Sequence, residues 1–410
     1  MKIKPLKYLA GTLALMSVGL MGCEESNTGE WTLQESGIAQ EAIINGSACD
    51  ASEYPTSVAI LTDADLVMPG FGDQTVMAVS CTGTLIAPDV VLTAAHCLDA
   101  SLMTMGFGEV DRVQYYVSFQ PDLSAYAESG GMGGGGQVLP APDSAIAATA
   151  FLPHPGFDIN TMQSVSGPGD FKDIGLLFLD RAVTDVTPAI VIGRDEMSQM
   201  KTGIEVGIAG WGQQTQGSGN FCEPPEPGTV GVKYCATSTI NEIGSMEMQI
   251  GSDEASSRKC HGDSGGPTYM DVVADSEIKR RVVGITSHAY DQSDCAKGGV
   301  DTRVDVWLDW IDEKMTSGCT DGTRVWCDVP GIIPASYYDS PANGGGEGGE
   351  GVDGSGSGEG GVDGEGGVDE GGCTQAGLPA PLLLLLTGLA LWVLRRRALG
   401  LSVSEIRIQK

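Results

Sequence analysis

Short hydrophobic segments separated by glycine-rich turns run through most of this 410-residue chain. Alternating apolar and polar positions over such short segments predict β-strands with one buried face. The segment IGLLFL, residues 174–179, is almost wholly apolar and predicts a buried strand. Further along, Leu308, Trp310 and Ile311 lie among acidic residues and predict a helix over residues 305–315. The pattern therefore predicts mainly β structure closed by one helix.

The amino-terminal segment has the features of an export signal. Three lysines precede an apolar run that ends in LMGC at residues 20–23. A basic start followed by an apolar core predicts a secretory signal peptide over residues 1–22. Its ending resembles that of bacterial lipoproteins, which implies cleavage before Cys23 and lipid attachment there. The alternative is an ordinary signal peptide cut near the same place. Residues 23–42 are then expected to be a propeptide.

The carboxy-terminal segment divides into three parts. Residues 343–372 are rich in glycine and acids, contain no basic residue, and predict an unfolded linker. Residues 373–397 comprise Cys373, an apolar run long enough to span a bilayer, and three arginines. Arginines favour the cytoplasmic side of a membrane, so residues 398–410 are expected to form a short cytoplasmic tail.

The order of spacer, cysteine, apolar span and arginine cluster resembles the MYXO-CTERM class of sorting tails on Gram-negative surface proteins. The resemblance implies processing near Cys373 by cell-envelope sorting machinery and transfer of the protein to the cell surface or the medium. The alternative is a plain single-span membrane anchor, with the transmembrane segment retained.

Net charge and cysteine content limit which ligands and cross-links the chain is expected to have. Acidic residues outnumber basic ones by 54 to 23, giving a formal net charge of −31. Such a surface repels nucleic acid, which argues against nucleic-acid binding. Acidic loops could hold calcium, but no ligand spacing demands it, so no metal and no cofactor are predicted. The 11 cysteines of an exported chain predict disulfides rather than metal ligands.

Three motifs supply residue types used in nucleophilic catalysis. CHGDSGGP, LTAAHC and DIGLLFL contain Ser264, His96 and Asp173, respectively. A serine hydroxyl becomes a good nucleophile when a neighbouring imidazole takes its proton. A carboxylate on the other imidazole nitrogen fixes the tautomer and stabilises the imidazolium. Asp170 is the nearest rival for the carboxylate, and Asp173 is preferred because it immediately precedes the apolar run.

The order His, Asp, Ser with these flanks resembles the trypsin and chymotrypsin class of serine endopeptidases over residues 43–315. The resemblance implies an all-β fold of two packed six-stranded antiparallel β-barrels with a C-terminal helix. It also implies an oxyanion hole formed by the backbone N–H groups of Gly262 and Ser264. The glycine-rich stretch at residues 129–136 is longer than the family usually has and predicts a surface insertion.

The motif IING at residues 43–46 resembles the new N-terminus that activated members of this family expose. The resemblance implies a zymogen, in which cleavage between Ala42 and Ile43 frees an α-ammonium that pairs with Asp263. A buried carboxylate left unpaired is costly, so this pairing can order the oxyanion loop. The residue before the cut is Ala42 rather than the usual Lys or Arg, which leaves the activating protease open.

The resemblance also implies disulfides. Three pairs correspond to the family pattern: Cys49–Cys235, Cys81–Cys97 and Cys260–Cys295. Two further cysteines, Cys319 and Cys327, bracket a short polar loop in an extension over residues 316–342. They pair with each other, or one of them pairs with Cys222; the sequence leaves both open.

Four residues correspond to the family's primary specificity pocket: Arg258, Ser287, Ala289 and Gly299. Arg258 stands six residues before Ser264, where trypsin-like enzymes carry Asp, and Lys259 follows it. If the Arg258 guanidinium enters the pocket, cleavage after Asp or Glu is favoured by charge. If the side chain snorkels outward, the pocket accepts small or apolar residues. The segment 287–289 resembles the one that pairs with the substrate backbone.

Taken together, the motifs predict an exported serine endopeptidase that hydrolyses protein or peptide substrates through an acyl-enzyme. It is expected as a zymogen, initially membrane-anchored, activated by a protease and then displayed on the outer cell surface or secreted. Two alternatives have other functions: a surface-displayed binding module with a protease fold, and an adhesin in which the tail matters most. The sequence does not identify the natural substrate.

Overall fold

A computed structural model of the chain describes residues 43–69, 72–104, 108–128, 138–162, 166–212, 230–291 and 294–338. The expected signal peptide, propeptide, insertion, Cys222, linker and sorting tail, with Cys23 and Cys373, lie outside these residues. Within the described part of the chain, no helix is long and apolar enough to cross a membrane.

The first barrel is a closed sheet of six antiparallel strands in the order β2-β3-β4-β7-β6-β5. Its strands are β2 (Ser57–Met68), β3 (Gly72–Ala87), β4 (Val90–Thr93), β5 (Glu109–Ser118), β6 (Ile146–Pro153) and β7 (Gly175–Leu179). Strands β4 and β7 are buried along their whole length, as their unbroken apolar sequences favour. The predicted buried strand at residues 174–179 is therefore β7.

The second barrel also has six antiparallel strands, closed by the pairing of β8 with both β9 and β11. Its strands are β8 (Glu205–Gly210), β9 (Tyr234–Ile243), β10 (Glu247–Ile250), β11 (Pro267–Ala274), β12 (Glu277–Asp291) and β13 (Asp294–Arg303). A short strand β1 (Ser47–Ala48) adds to the outside of β9. The expected pair of six-stranded barrels is confirmed.

In the described part of the chain, the helices are few and short except for the last one. They are α1 (Ser124–Glu128), α2 (Ile159–Met162) and α3 (Leu308–Asp321), with 3₁₀ turns at His96–Leu98, Ala100–Thr104, Met197–Gln199 and Val304–Trp307. The closing helix α3 thus begins and ends later than predicted. It ends at Gly322, whose φ of 79° is the left-handed conformation that terminates many helices.

The segment after α3 packs on the first barrel. The Arg324 guanidinium lies 2.7 Å from the Asp89 carboxylate, and both side chains are fully buried. The same carboxylate accepts the backbone N–H groups of Val325 and Trp326. Ile333 joins the apolar core of the first barrel. The extension expected after residue 315 therefore shares the core and is not a separate appendage.

Four disulfides join described cysteines. They are Cys49–Cys235, Cys81–Cys97, Cys260–Cys295 and Cys319–Cys327. The first three are the pairs expected from the family pattern. The fourth answers the question that the sequence left open, because the two cysteines of the extension pair with each other.

Candidate active site

His96 and Asp173 meet at the end of the first barrel because strands β4 and β7 are neighbours. Thr93, the last residue of β4, lies opposite Gly175, the first residue of β7. The residue shortly after β4 and the residue shortly before β7 therefore come together. His96 Nδ1 lies 2.7 Å from Asp173 Oδ2, and the His96 backbone N–H donates to Asp173 Oδ1 at 2.9 Å.

Asp173 is fully buried and is held from several directions. Ser287 Oγ donates to its Oδ2 at 2.6 Å, and Thr302 Oγ1 donates to its backbone carbonyl at 2.9 Å. Burial acts to raise the pKa of Asp173, but the charge and hydrogen bonds of His96 and Ser287 outweigh it and lower the pKa. The rival Asp170 is exposed and accepts a hydrogen bond from Ser245 instead.

Sequence reasoning missed the support that Asp173 receives from the second barrel. Ser287 was expected at the specificity pocket, and Thr302 was not singled out. Both lie more than 100 residues along the chain from Asp173. No local pattern signals such a pairing, because it depends on how the two barrels pack.

Ser264 lies on a turn that packs directly against the segment carrying His96. Its carbonyl accepts the Thr82 backbone N–H at 2.8 Å. The next residue, Gly265, has a φ of 77°, and a Cβ there would overlap the Thr93 side chain. Glycine at this position therefore allows the turn to lie directly against Thr93 and Ala94, which lead into His96. Among the described residues, no hydrogen bond joins the Ser264 hydroxyl to His96, as is common before substrate binds.

The turn also presents two backbone N–H groups. Within the described part of the chain, the N–H groups of Gly262 and Ser264 donate to no protein acceptor, whereas those of Asp263, Gly265 and Gly266 do. Gly262 has a φ of 92°, and a Cβ there would lie 2.7 Å from the Gly212 Cα. Only glycine combines this conformation with so close an approach.

Asp263, between these two N–H groups, is fully buried. Its carboxylate accepts the backbone N–H groups of Gly212 and Cys260, each at 2.9 Å. No ion pair to this carboxylate is present among the described residues. Burial raises the pKa of Asp263 to about 7, against the smaller effect of the two hydrogen bonds. Ile43, its expected partner, is also fully buried and packs in the core of the second barrel.

Arg258 matches neither alternative drawn from the sequence. Its side chain is only 2% exposed, so it does not snorkel outward. Its guanidinium donates to the backbone carbonyls of Cys295 at 2.7 Å, Asp253 at 2.6 Å and Ser256 at 3.1 Å. The cation thus serves to hold the loop before it. Sequence alone could not reveal this, because carbonyl groups are present at every residue.

The other expected pocket residues lie on β12 and β13. Ala289 stands opposite Gly299 in the pairing of these strands, so two small residues face each other. A Cβ added to Gly299 would meet its nearest neighbour, the Lys259 Cβ, at 3.5 Å. Ser287, on the same strand as Ala289, directs its hydroxyl at Asp173.

A second histidine and carboxylate lie next to the first pair. His288 Nδ1 faces the Ala289 carbonyl at 2.8 Å, and its Nε2 faces Glu247 Oε2 at 3.4 Å. The same Glu247 oxygen accepts the Gly169 backbone N–H at 2.6 Å. Burial acts to lower the pKa of His288, but Glu247, the Ala289 carbonyl and the charge of Asp173 together outweigh it, and the pKa is raised. Both ring nitrogens face acceptors, which favours the imidazolium.

Two clusters of sulfur and imidazole atoms have the spacing of metal ligands: Cys81, His96 and Cys97, and Cys260, His261 and Cys295. In each cluster the two cysteines are joined in a disulfide, so neither offers a thiolate. These atoms are therefore not a metal-binding set.

Comparison with known proteins adds independent information. Residues 43–126 and 139–311 match the trypsin family. The chain is 28% identical to the vitellin-degrading protease of Bombyx mori over 246 residues, covering 58% of this chain and 77% of that protein. It is 24% identical to the glandular kallikrein of Sus scrofa over 290 residues and 23% identical to the trypsin of Sus scrofa over 282 residues. Each of these two alignments covers 68% of this chain and 97% of the relative.

The family match extends over more than half of the chain and includes both barrels. The unmatched residues between its two parts contain the glycine-rich insertion expected from the sequence. The relatives, although distant, are peptidases by name. The chain therefore belongs to the trypsin family of serine proteases.

Proposed function

We propose that the protein is an exported serine endopeptidase that cleaves peptide bonds through an acyl-enzyme. His96, Asp173 and Ser264 are its catalytic residues. The observation that carries the proposal is the contact between His96 and the buried Asp173 carboxylate, next to a turn on which the N–H groups of Gly262 and Ser264 donate to no acceptor among the described residues. A binding module has no need of this combination.

In the proposed mechanism, Ser264 Oγ attacks the substrate carbonyl carbon while His96 Nε2 takes the hydroxyl proton. His96 Nδ1 faces the Asp173 carboxylate and carries the hydrogen in this mechanism. Nε2, which lies 3.7 Å from the disulfide-bonded Cys97 Sγ, is then the nitrogen that accepts the proton. The imidazolium then gives the proton to the leaving amine as the C–N bond breaks. Water, deprotonated by His96, hydrolyses the acyl-enzyme and restores Ser264.

The negative charge that develops on the carbonyl oxygen is stabilised by the N–H groups of Gly262 and Ser264. A preorganised donor of this kind typically contributes about 3 kcal/mol to lowering the barrier. Gly262 supports this arrangement because its φ of 92° is a backbone conformation that residues with side chains rarely adopt.

The proposed activation depends on the buried Asp263 carboxylate gaining a cationic partner. Cleavage between Ala42 and Ile43 frees an α-ammonium that pairs with the buried Asp263 carboxylate and orders the oxyanion turn. The burial of Ile43 and the raised pKa of Asp263 support this step. Export through the signal-like residues 1–22, with Cys23 and Cys373 as lipidation and sorting candidates, completes the proposal. Its final location is the outer cell surface or the medium.

The test is labelling of the full-length chain, cut before Ile43, with a fluorophosphonate probe and mapping of the adduct by mass spectrometry. We expect the adduct on Ser264 and none on the Ser264→Ala variant, which should fold and be secreted normally. A correctly folded, cut chain that takes no label would favour the binding module instead.

A further inference from the structure

The backbone segment just before Asp173 is fastened to the second barrel. The Gly169 N–H donates to Glu247 Oε2, on β10, at 2.6 Å. The Phe171 ring stands edge-on to the His288 ring, on β12, with 5.6 Å between the ring centroids. Two side chains of the second barrel thus support the residues that lead into the carboxylate proposed as catalytic, four and two positions before it.

Glu247 and His288 act on this segment as one buried unit. His288 Nε2 lies 3.4 Å from Glu247 Oε2, the oxygen that also accepts the Gly169 N–H. The Glu247 side chain is fully buried, and its Oε1 has no hydrogen-bond partner among the described residues. A buried carboxylate with so few donors is costly unless a cation pairs with it, so the contact favours His288 as an imidazolium.

Both ring nitrogens of His288 need a hydrogen for their contacts. Nε2 faces the Glu247 carboxylate, and Nδ1 faces the Ala289 carbonyl at 2.8 Å. Only the imidazolium donates from both nitrogens, whereas a neutral imidazole points a lone pair at one of these acceptors. The ring orientation against which Phe171 packs therefore belongs to the charged form. Loss of the proton would release one of the two contacts.

The residue before His288 joins this ring to Asp173. Ser287 precedes it on β12 and donates its hydroxyl to Asp173 Oδ2 at 2.6 Å. The position of the Ser287 hydroxyl depends on the strand to which the His288 ring is fixed. Movement of the ring therefore reaches Asp173 along two routes, through Ser287 and through the Phe171 side chain.

In the described part of the chain, charged groups reach His288 from two neighbouring elements. They are the Glu247 carboxylate on β10 and the Asp173 carboxylate before β7; on β13, the uncharged Val300 stands opposite. Burial acts against the charged form, but these carboxylates and the Ala289 carbonyl outweigh it and raise the pKa of His288. The imidazolium in turn offsets part of the negative charge that is buried at Asp173.

We propose that His288, kept as an imidazolium by Glu247, is a positioning residue for Asp173. The proposal rests on the proposed peptidase function. In the charged form, His288 supports the segment before Asp173 and the strand beside it, so the carboxylate keeps its place in the site. When His288 loses its proton, one contact is released and catalysis slows. Activity should therefore fall at alkaline pH as His288 becomes neutral.

The experiment compares the pH dependence of one chemical step with the titration of His288 itself. The step is the labelling of Ser264 by diisopropyl fluorophosphate in the full-length chain cut before Ile43. This small probe reports on the nucleophile and its base without the contacts of a peptide substrate. The titration is followed by NMR of the chain labelled with ¹⁵N-histidine. The chain has only four histidines, so substituting each in turn identifies the His288 signal.

Three variants make the comparison specific. His288→Phe keeps a ring against Phe171 but removes both donors and the charge. Glu247→Gln keeps the shape of the side chain but removes the carboxylate that favours the proton on His288. Tyr290→Phe, two residues further along β12, removes the exposed hydrogen bond to Glu242 and is the control.

We expect the labelling rate of the natural enzyme to fall by about 10-fold over the alkaline range in which the His288 signal titrates. Glu247→Gln should move the titration and the fall in rate together to lower pH, since the charged form loses its partner. His288→Phe should be about 10-fold slower at its best pH and should lack this fall. Tyr290→Phe should match the natural enzyme.

Two results would overturn the proposal. One is a labelling rate in the natural enzyme that does not change while His288 titrates. The other is a fall in rate that stays at the same pH in Glu247→Gln while the His288 titration moves, because another group, such as the Ile43 α-ammonium, would then cause it. Neither result depends on the folding of His288→Phe. A natural cut chain that takes no label on Ser264 at any pH would instead overturn the proposed function.

Discussion

Two buried carboxylates flank the nucleophile turn, and they are held in opposite ways. Asp173 receives three hydrogen bonds on its oxygens, from the His96 ring, the His96 N–H and Ser287, and its pKa is lowered. Asp263 receives only two backbone N–H bonds, and burial raises its pKa to about 7. Equal burial thus gives opposite pKa shifts, because the number and charge of the partners decide the sign.

The different partners of Asp173 and Asp263 suit the two carboxylates to different roles. The carboxylate of Asp173 is stabilised as an anion by groups already present, so the His96–Asp173 pair is ready without further change. The carboxylate of Asp263 has no ion-pair partner in the described part of the chain, and under the proposed activation the Ile43 α-ammonium supplies one. If the proposed cleavage supplies this last charge, the site is suited to regulation.

The largest effect is expected from Asp173→Asn. This change keeps the shape but removes the acceptor that fixes the His96 tautomer, and kcat should fall by about 10⁴-fold. The measurement is kcat on a peptide substrate with the cut enzyme. Asp170→Asn, the exposed rival, is the control and should leave kcat unchanged. A large loss of kcat in the Asp170 variant would mean that the catalytic carboxylate is not that of Asp173.

The Asp263→Asn substitution should lower the activity of the cut enzyme, because a neutral amide cannot form an ion pair with the Ile43 α-ammonium. We expect kcat/KM to fall by about 100-fold as the oxyanion turn loses its order. Fluorophosphonate labelling rates provide a second readout. Asp275→Asn, at an exposed turn, serves as control. Full activity in the Asp263 variant would mean that the turn is ordered without the ion pair.

The raised pKa of Asp263 also predicts how stability depends on pH in the uncut chain. The native state keeps a proton on Asp263 up to about pH 7, whereas the unfolded state releases it near pH 4. The free energy of unfolding should therefore decrease between these values, by at most about 4 kcal/mol. Urea titrations across this range check the slope. Asp263→Asn should remove this contribution, and cleavage before Ile43 should reduce it.

Ser287→Ala tests how much the extra support of Asp173 matters. Loss of the hydrogen bond leaves a buried carboxylate with one partner fewer, and we expect about a 10-fold lower kcat. The pKa of Asp173 should rise, which would shift the acid limb of the pH–rate profile. Ser245→Ala, which removes the hydrogen bond to exposed Asp170, is the matched control. An unchanged acid limb would reduce Ser287 to a packing role.

The smallest effect concerns a third carboxylate, that of Glu247, which already faces a cationic partner. The raised pKa of His288 means that this pair stabilises the fold at low pH and that the contribution is lost as pH rises through the native-state pKa. Glu247→Gln should therefore lower stability by about 1 kcal/mol below that pKa and less above it. Exposed Glu242→Gln is the control; a pH-independent loss would contradict the pairing.

Much of this arrangement was predictable because it depends on local sequence. The apolar run that follows Asp173 marked β7, and it also favoured Asp173 over Asp170 as the carboxylate that contacts His96. The glycines at 262 and 265 were recognisable around Ser264, since a tight turn requires their backbone freedom. The closing helix was predicted, but its predicted end came too early. Its last turns carry polar residues, and its end depends on Gly322.

The sequence by itself determined the candidate triad, because its motifs contain residue types that have few other uses. Through the resemblance of these motifs to the trypsin family, it also implied the two-barrel fold and three of the disulfides. Only the tertiary structure decided which partners the buried charged and polar side chains have. In the folded protein, the Arg258 guanidinium donates to backbone carbonyls, the Lys259 ammonium pairs with Asp301, and the Ser287 hydroxyl donates to Asp173. The physical reason is that a buried polar group must find a partner, and the partner nearest in space is often distant along the chain.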